Sequence, residues 1–584
     1  MRRHIGATII VTLLLVAVVA SAAIGNSGLF QDAESAFNEL RDRVTALEER
    51  VAALENDDAD PSEEPTEEPA EEPVEEPTEE PASNVPDAEV TGHHSGFIVP
   101  KDETWQILGD VTTDENVVVY GTLVMRAGSS LTFVDVDEGA FIGGGMDVIR
   151  HDVGLWVIRS GVLDVEGTPV QGWNRTGEHP TWDAEHEYVI APHDPSRRSS
   201  PSEWSLGDPI PCTEFAGEQY CAEVANLTRD VKIQGTPEGR AHIFIRSDQP
   251  QSIRYAEMRW LAPMIDTNAP DGRYALHFHH AGDGSRGSIV QGVVVRDAGD
   301  HAFSPHESHG VTFRDTVAYD VVGEAYWWDP GDHTNDTHYD RVLALDIKEG
   351  RGSHRRMGGV RLGKGEGNKI TDSTVAASAG RGFTWLEGSP NEWTMERLVA
   401  HHTSGGFFSW TNESGDKQHV VTDFVAYRNS RGLEIGAYGV QFRFDGLVSF
   451  DNSHSGVHQH AAPRKSNPSN FPGMVFRNGA ASAGYLSTEH AITIANRRNC
   501  ERRGNLTLYE NLWLLDFTAE PIQVNQEKCT HSTDSFRITF RDVIVGEERR
   551  ELEPEDFDIL AIPDGGVIQV HRTDGTSFTI HADS

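Results

Sequence analysis

A short pattern that recurs along the middle of the chain constrains its fold more than any other feature. Most copies read as a short apolar strand, a polar turn, and a glycine that starts a second strand. Such a unit is too small to bury its own apolar side chains, so each copy must stack on the next. Seven apolar residues mark the register at spacings of 23, 26, 32, 24, 26 and 23: Val294, Val317, Leu343, Val375, Val399, Val425 and Val448.

The repeat predicts a solenoid, and its residue types predict strands rather than helices. β-Branched residues separated by Gly, Asn, Asp and Ser favour an all-β, right-handed, single-stranded parallel β-helix of the pectin-lyase type. A β-sandwich with repetitive strands is the alternative. We expect a glycine-rich β domain over residues 92–175, the β-helix over 176–545 and a C-terminal β cap over 546–584.

The first ninety residues predict a segment for export and display. An apolar run follows two arginines, so residues 1–25 form either a cleaved signal peptide or an uncleaved membrane anchor. Apolar spacings of three and four over residues 26–56 predict a short coiled coil and, through residues 30–54, a homo-oligomer. A single amphipathic helix is the alternative. A Glu-Glu-Pro repeat over residues 57–91 predicts a disordered, extended acidic stalk.

The chain is strongly acidic, with a net charge of −43 over 584 residues, and lysine is scarce beside arginine. Such a surface suits a very salty medium, where ions screen the repulsion between like charges. No basic stripe is visible, which argues against nucleic acid as a partner. A membrane is expected as a partner only through an uncleaved N-terminal anchor.

Four cysteines fall into two local pairs, Cys212 with Cys221 and Cys500 with Cys529. An even number of cysteines behind an export signal predicts two disulfides formed in an oxidising compartment. We therefore expect an extracellular protein, either secreted or anchored at the cell surface.

The register also brings acid–base residues together. Counted from the marker residues, His301 lies over Glu324 of the next coil, and His306 lies over Asp329. A histidine stacked on a carboxylate suits general acid–base catalysis. A structural ladder of polar side chains is the alternative.

Tryptophans recur close to one register position. Trp327 and Trp385 share it, Trp328 is adjacent, and Trp410 is one residue off. Exposed indoles in a row would serve as platforms for sugar rings. Tryptophans that cap turns are the alternative.

A His-Phe-His motif suggests a metal site. His277 and His279 alternate along a strand and therefore point to one side of it. With Asp297 one coil further on, they could bind a transition metal, and hydrogen bonding is the alternative. Arg273 beside them suits a uronate carboxylate, because its planar fork pairs with two oxygens. Three residues of a later polar loop are expected to be solvated: Asp332, His333 and His338.

Two groups of motifs carry a family resemblance. GTLVMRAGSSLTF and GLWVIRSGVLDVEGTPVQGWNRTG resemble the eight-glycine (G-eight) domain. LTRDVKIQG, GRYALHFHHAG and HESHGVTFRDTVAYDVVGEAYWW resemble the β-helix of the animal cell-surface hyaluronidases and hyaluronan-binding proteins. The resemblance covers about residues 95–460. It implies a parallel β-helix and carbohydrate chemistry, which in the animal members is hyaluronan depolymerisation assisted by calcium.

These observations favour an extracellular depolymerase of a uronate-bearing polysaccharide, with Ca²⁺ or a transition metal as its cofactor. A hydrolase would need a pair of carboxylates, whereas a lyase would need a base and a cation. The sequence offers His–Glu and His–Asp pairs, so both reaction types stay open. The alternatives are a noncatalytic glycan-binding or adhesive protein and a structural envelope protein on a stalk.

Overall fold

A computed structural model describes the chain from residue 86 to residue 581, with gaps. The described ranges are 86–136, 153–195, 199–263, 272–329, 331–349, 358–385, 393–409, 418–435, 441–459, 474–483, 490–495, 505–525, 536–562 and 565–581. The predicted signal or anchor and the predicted coiled coil lie outside these ranges, as does the predicted stalk up to residue 85. Within these ranges, no helix has the length and apolar character needed to cross a bilayer.

Successive coils stack in parallel, and each coil contributes strands to three faces, which we call faces 1, 2 and 3. Among the described residues, six long strands run through both face 1 and face 2: β1 (Ala88–His94), β3 (Thr104–Thr113), β31 (Thr394–His401), β33 (Gln418–Tyr427), β38 (Met474–Ser482) and β40 (Asn505–Leu515). Face 1 also holds β5 (Thr122–Arg126), β8 (Val162–Glu166), β17 (Ser252–Arg254), β20 (Ile289–Gln291), β23 (Thr312–Arg314), β25 (His338–Asp340), β28 (Lys369–Thr371), β35 (Gln441–Asp445), β42 (Phe536–Arg541), β46 (Val567–His571) and β47 (Ser577–His581).

Faces 2 and 3 are built in the same way. Face 2 also holds β6 (Ser130–Phe133), β15 (Val231–Gln234), β18 (Ala256–Arg259), β21 (Val294–Ala298), β24 (Val317–Val322), β26 (Leu343–Lys348), β29 (Thr374–Ser378), β36 (Val448–Phe450), β43 (Ile544–Val545) and β44 (Arg550–Glu551). Face 3 holds β2 (Phe97–Val99), β4 (Val117–Val119), β7 (Leu155–Arg159), β16 (Ile243–Ser247), β19 (Leu276–Phe278), β22 (Phe303–Ser304), β27 (Gly358–Leu362), β30 (Arg381–Trp385), β32 (Phe407–Ser409), β34 (Arg431–Ile435), β37 (Ser455–Gln459), β39 (Ile492–Ala495), β41 (Ile522–Asn525) and β45 (Phe557–Ala561). The predicted all-β parallel β-helix is confirmed.

The predicted register holds at six of its seven positions. Val294 pairs with Val317 and Val317 with Leu343, and the run from Val399 through Val425 to Val448 is also as predicted. The fourth position is wrong by one residue, because Leu343 pairs with Thr374. Side chains alternate along a strand, so a shift of one residue moves Val375 to the inward side, where it is fully buried in the core.

Inward-facing aromatic rings form a column through the later coils. Phe444, Phe476, Tyr509 and Phe540 occupy one register position, and consecutive rings stack at 5.6, 5.1 and 4.9 Å between centroids. The core therefore runs along the stack, and each coil depends on its neighbours to cover its apolar side chains.

Two register positions repeat a left-handed backbone conformation. In or just after the face 2 strands, residues in one register position have φ between 53° and 58°: Asp297, Asp320, Asp346, Ala377, His402, Arg428 and Asp451. Between faces 1 and 2, a second column alternates in charge, with φ between 51° and 55°: Asp315, Arg341, Asp372, Arg397 and Asp423. Aspartate adopts this conformation more readily than most residues, which accounts for its frequency here. Neighbours in the second column form ion pairs, Arg341 with Asp315 at 3.3 Å and Arg397 with Asp372 at 2.7 Å.

A mainly antiparallel insert of residues 167–230 covers the outer side of face 2. Its strands are β9 (Trp173–Asn174), β10 (Tyr188–Ile190), β11 (Ser202–Glu203), β12 (Cys212–Phe215), β13 (Glu218–Cys221) and β14 (Val224–Asn226). Trp173 packs with Val294, Val317 and Leu343, and Phe215 stacks on Phe450 at 4.5 Å between centroids. The marker residues of the repeat thus point outward on face 2, and they are apolar there because the insert buries them.

Candidate functional site

The outer side of face 3 collects the predicted site residues from three neighbouring coils. Within β16, β19 and β22, Ile243, Leu276 and Phe303 pair in register and point into the core. Side chains alternate along a strand, so the residues that follow them point outward. His277 is one of these. His279 comes two residues after His277, and His306 comes three residues after Phe303.

Three histidines and two aspartates converge at this surface, and we call them the open cluster: His277, His279, His306, Asp329 and Asp332. His277 Nε2 lies 3.4 Å from His279 Nδ1. His306 lies between the two carboxylates, with Nδ1 2.8 Å from Asp329 and Nε2 3.3 Å from Asp332. The predicted stacking of His306 on Asp329 is therefore present as a direct ion pair.

The open cluster holds its histidines in different charge states. Burial and the neighbouring histidines lower the pKa of His277 well below its usual value and the pKa of His279 to about 3. Burial also lowers the pKa of His306, but its hydrogen bonds to Asp329 and Asp332 outweigh burial and raise that pKa to about 10. Two neutral rings therefore lie beside one cationic ring at neutral pH.

Asp332 was expected to be solvated, and this is wrong. Its side chain is buried and its carboxylate reaches His306, while burial raises its pKa against the opposing effect of that histidine. His333 is exposed and His338 is half-buried in β25. The loop after face 3 folds back toward the cluster, a placement that local polarity in the sequence did not indicate.

His301 and Glu324 meet as predicted, but below the surface. The backbone N–H of Glu324 donates to His301 Nδ1 at 2.9 Å, and both side chains are buried. The ring of His301 stacks on Trp327 at 4.0 Å between centroids and contacts Tyr274 edge-on at 4.9 Å. This pair lies beneath the open cluster, where it supports Trp327, and Trp327 in turn donates a hydrogen bond to Asp329.

The predicted row of exposed indoles is wrong for the three tryptophans that the structure describes. Trp328 and Trp385 are 1% and 0% exposed and belong to the inward core. Trp327 points outward but is 4% exposed, because it lies between His301 and the guanidinium of Arg361. The one-residue shift at Thr374 is the reason that Trp385 faces inward rather than sharing the position of Trp327. Trp410 lies outside the described residues.

Asp297 does not join the predicted metal ligands. It has a left-handed backbone conformation within β21 on face 2, and its carboxylate pairs with Arg259 at 2.6 Å. His306 takes its place beside His277 and His279. Arg273 does lie near the cluster, with its guanidinium 5.5 Å from the ring centroid of Trp156.

A pocket of about 460 Å³ adjoins the open cluster. His280 connects the two, because its ring lies 4.3 Å from that of His279 and 4.5 Å from that of His306 between centroids. The pocket is lined by Tyr120, Ile158, Arg159, Arg246, Ser247, Asp248, His280 and Ala281. The sequence analysis did not select Arg159 or Arg246, since they belong to β7 and β16, one or two coils before the His-Phe-His motif.

Of the two predicted disulfides, Cys212–Cys221 is present and joins β12 to β13 at the directly paired position. Cys500 and Cys529 lie outside the described residues.

Comparison with known proteins gives one family match. Residues 241–430 match the family model described as the CEMIP beta-helix. This part of the β-helix is therefore CEMIP-like. The match includes β19, β22 and the whole open cluster, and the resemblance seen in the sequence motifs is confirmed.

Curated relatives match parts of this chain at low identity. A G8 domain-containing protein of Dictyostelium discoideum is 30% identical over 135 residues, which are 22% of this chain and 11% of that protein. The human cell migration-inducing and hyaluronan-binding protein is 25% identical over 229 residues, which are 33% of this chain and 16% of that protein. The matches therefore span less than a fifth of the length of these relatives.

Solved structures give weaker matches. The Agl-KA catalytic domain aligns with a TM-score of 0.34 and 10% identity, over 77% of this chain and 62% of that one. A family 28 exopolygalacturonase of Yersinia enterocolitica aligns with a TM-score of 0.29 and 13% identity, over 82% and 74%. The fold assignment therefore rests on the strand register and on the family match.

Proposed function

We propose that this chain is an extracellular depolymerase of a uronate-bearing polysaccharide and that the open cluster is its catalytic centre. The observation that carries the proposal is the convergence of three histidines and two aspartates beside a pocket with two arginines. The hyaluronan-binding name of the human relative supports a polysaccharide partner. The Cys212–Cys221 disulfide supports an oxidising, extracellular compartment.

The pocket offers local positive charge on a chain that would otherwise repel a polyanion. The net charge is −43, whereas two arginines, Arg159 and Arg246, line this pocket with one acid, Asp248. Arginine pairs with carboxylates through two parallel hydrogen bonds, which suits the repeated carboxylates of a uronate polymer. High salt would weaken the long-range repulsion and favour binding at this pocket.

The open cluster holds groups for either reaction type. Asp329 and Asp332 are the carboxylate pair that a hydrolase requires, and the raised pKa of Asp332 suits a proton donor. For a lyase, the metal-free cluster offers neutral His279 as the base and cationic His306 to stabilise the negative charge that develops on the uronate. With an ion bound to these two rings, the ion would supply that positive charge instead. A hydrolase yields new reducing ends alone, whereas a lyase also yields an unsaturated uronate.

The test is product release from a panel of uronate polysaccharides in high salt. The wild-type chain is compared with His306→Ala and with the control His94→Ala, whose half-buried ring lies in β1 and hydrogen-bonds the Thr91 carbonyl. We expect His306→Ala to lower turnover by about 10²–10⁴-fold, the usual contribution of an acid–base group, and the control to keep full activity.

Two outcomes would contradict the proposal. Equal turnover by wild type and His306→Ala would remove the open cluster from the chemistry. A wild type that binds the glycans but releases no product would instead be a noncatalytic glycan-binding protein. The burial of Trp327, Trp328 and Trp385 weighs against that second function, because it depended on an exposed aromatic row.

A further inference from the structure

Three imidazoles of the open cluster are arranged as a metal-binding set. One ring nitrogen from each of His277, His279 and His306 lies within 4.8 Å of the other two. We propose that these three histidines bind one divalent transition ion of the zinc type. The inference deepens the proposed function by naming a cofactor for the same cluster, and it can be tested without any polysaccharide.

The hydrogen bonding of His277 sets the nitrogen that faces the ion. Its Nδ1 lies 2.9 Å from the carbonyl oxygen of Gly272, which can only accept, so Nδ1 carries the hydrogen. In the neutral ring the lone pair is then on Nε2, which points toward His279. A metal-bound histidine commonly has this arrangement, in which the outer N–H is fixed by a carbonyl or carboxylate.

The separation of the two donors fits a shared ion. Zinc binds imidazole nitrogen at about 2.0–2.1 Å with tetrahedral geometry, which separates two ligand atoms by about 3.4 Å. His277 Nε2 and His279 Nδ1 are 3.4 Å apart. A hydrogen bond between two ring nitrogens prefers a shorter distance, of roughly 2.7–3.2 Å. The spacing therefore matches two ligands of one ion better than a direct contact.

His306 completes the set and has its outer partner in place. Each of its nitrogens faces a carboxylate, Asp329 on one side and Asp332 on the other. Binding of the ion at either nitrogen displaces the proton that this nitrogen holds in the cationic ring, so metal binding releases one proton from His306. The other nitrogen keeps a carboxylate that orients the ring, as in carboxylate–histidine–zinc arrangements. Three histidines leave a fourth position open, which is typical of catalytic rather than structural zinc sites.

The donor type selects the class of ion. Imidazole nitrogen suits Zn²⁺, Co²⁺, Ni²⁺ and Cu²⁺, whereas Ca²⁺ takes six to eight oxygen ligands. His279 and His306 are half-buried and His277 is buried, beside a pocket that an ion or a small ligand can enter. The position of Asp297 on face 2 leaves His306 as the third ligand, in place of the carboxylate that the sequence indicated.

The experiment titrates the full metal-free chain with Zn²⁺, Co²⁺ and Ca²⁺. Calorimetry gives stoichiometry and affinity, and the visible spectrum of bound Co²⁺ reports tetrahedral coordination. We expect one Zn²⁺ or Co²⁺ per chain. We also expect His279→Ala to weaken zinc binding by more than Asp329→Asn does, since loss of an orienting carboxylate costs about 10–100-fold. His94→Ala, whose ring lies in β1 and hydrogen-bonds the Thr91 carbonyl, should leave zinc binding unchanged.

The controls keep the result interpretable. His279 is half-buried, so its replacement is expected to preserve the fold, which circular dichroism and thermal melting verify for every variant. Binding of Ca²⁺ alone, no binding of Zn²⁺ or Co²⁺, or unchanged zinc binding in His279→Ala would each overturn the inference. Zinc binding without polysaccharide cleavage would leave this inference standing and remove the proposed function. Cleavage by a chain that binds no transition ion would do the reverse.

Discussion

Two groups of histidines in this protein arise from the same stacking of coils and have different surroundings. One is the open cluster on face 3. The other, which we call the covered cluster, is His401, His402 and Glu223. His401 Nε2 lies 2.7 Å from Glu223, the two Nδ1 atoms of His401 and His402 are 2.6 Å apart, and His402 Nε2 donates to the carbonyl of Asp194 at 2.7 Å. All three side chains are buried.

The covered cluster is closed because the insert supplies its partners. Glu223 and Asp194 belong to the insert, whereas His401 and His402 belong to β31 and the turn after it. Because His402 donates from Nε2, its Nδ1 accepts from Nδ1 of His401. His401 also donates from Nε2 to the Glu223 carboxylate, so it donates from both nitrogens and forms a buried ion pair with Glu223. The open cluster has no such lid among the described residues and faces a pocket instead. A local concentration of histidines therefore occurs both in a structural contact, the covered cluster, and in a candidate functional site, the open cluster. The two differ in whether the insert covers the histidines.

The largest expected effect comes from removing the acid of the covered cluster. In Glu223→Ala, the buried Nε2–H of His401 would lose its acceptor, and loss of one member of a buried pair costs about 3–5 kcal/mol. We expect the free energy of local opening of the insert to fall by that amount, measured by hydrogen exchange over β10 and β14. Glu214→Ala, an exposed acid of the same insert, is the control. An unchanged exchange rate in Glu223→Ala would show that the ion pair does not hold the insert against face 2.

Reduction of the insert disulfide should have the next largest effect. The Cys212–Cys221 bond closes a loop with a sequence separation of 9, for which chain entropy predicts roughly 2–3 kcal/mol. We expect faster hydrogen exchange in β12 and β13 of the double variant Cys212→Ser with Cys221→Ser. The strands of face 3 should keep their protection. Faster exchange across face 3 as well would mean that the insert stabilises the whole stack.

Acid should loosen the covered cluster. Burial and the neighbouring His401 lower the pKa of His402 to about 3, while the Asp194 carbonyl and carboxylate oppose this and Arg428 adds to it. A folded-state pKa below the unfolded value means that the unfolded chain binds more protons, so stability falls as the pH drops below about 6.5. Between pH 7 and pH 5 the loss from His402 is about 2 kcal/mol.

Glu223 extends this loss to lower pH. Burial raises the pKa of Glu223, but the ion pair with His401 outweighs burial and lowers it below 4.5. Its contribution is present above that value and disappears as the pH falls through the folded-state pKa. The loss that comes from His402 is measured by hydrogen exchange of the insert at pH 7 and pH 5, corrected for the intrinsic exchange rate. Equal opening free energies at the two pH values would contradict the prediction.

The smallest effect on stability is expected in the open cluster. His279 is half-buried and has no partner in the insert, so His279→Ala should change the melting free energy of the metal-free chain by less than about 1 kcal/mol. His401→Ala is the matched comparison from the covered cluster and should cost several times more. Similar losses in the two variants would show that the open cluster is also structural.

The sequence predicts the stack well because its period is a property of consecutive residues. Six of seven marker positions and the contact between His306 and Asp329 follow from counting alone. The error at Val375 falls at the longest spacing of the repeat, where an apolar residue comes one place after Thr374, the residue that pairs with Leu343. The residue types alone do not show whether Thr374 or Val375 pairs with Leu343. The error of one residue reversed the predicted direction of the Trp385 side chain.

The candidate site is less predictable, because it depends on segments far apart in the chain. The insert buries the outer side of face 2 through contacts that are distant in sequence, from Trp173 to Val294 and from Phe215 to Phe450, and nothing in the marker residues indicates a cover. Asp332 reads as a loop acid until the loop is seen to fold onto His306. Arg246 comes near the cluster only because β16 pairs with β19.

The alternating column between faces 1 and 2 has a consequence for how such a protein can change in length. The backbone repeats every coil, but the charges of Asp315, Arg341, Asp372, Arg397 and Asp423 repeat every second coil. Loss of a single coil from this stretch would set aspartate against aspartate or arginine against arginine at the strand spacing of about 4.8 Å. Loss of two coils would restore the alternation. Insertions and deletions in this stretch are therefore expected to involve even numbers of coils.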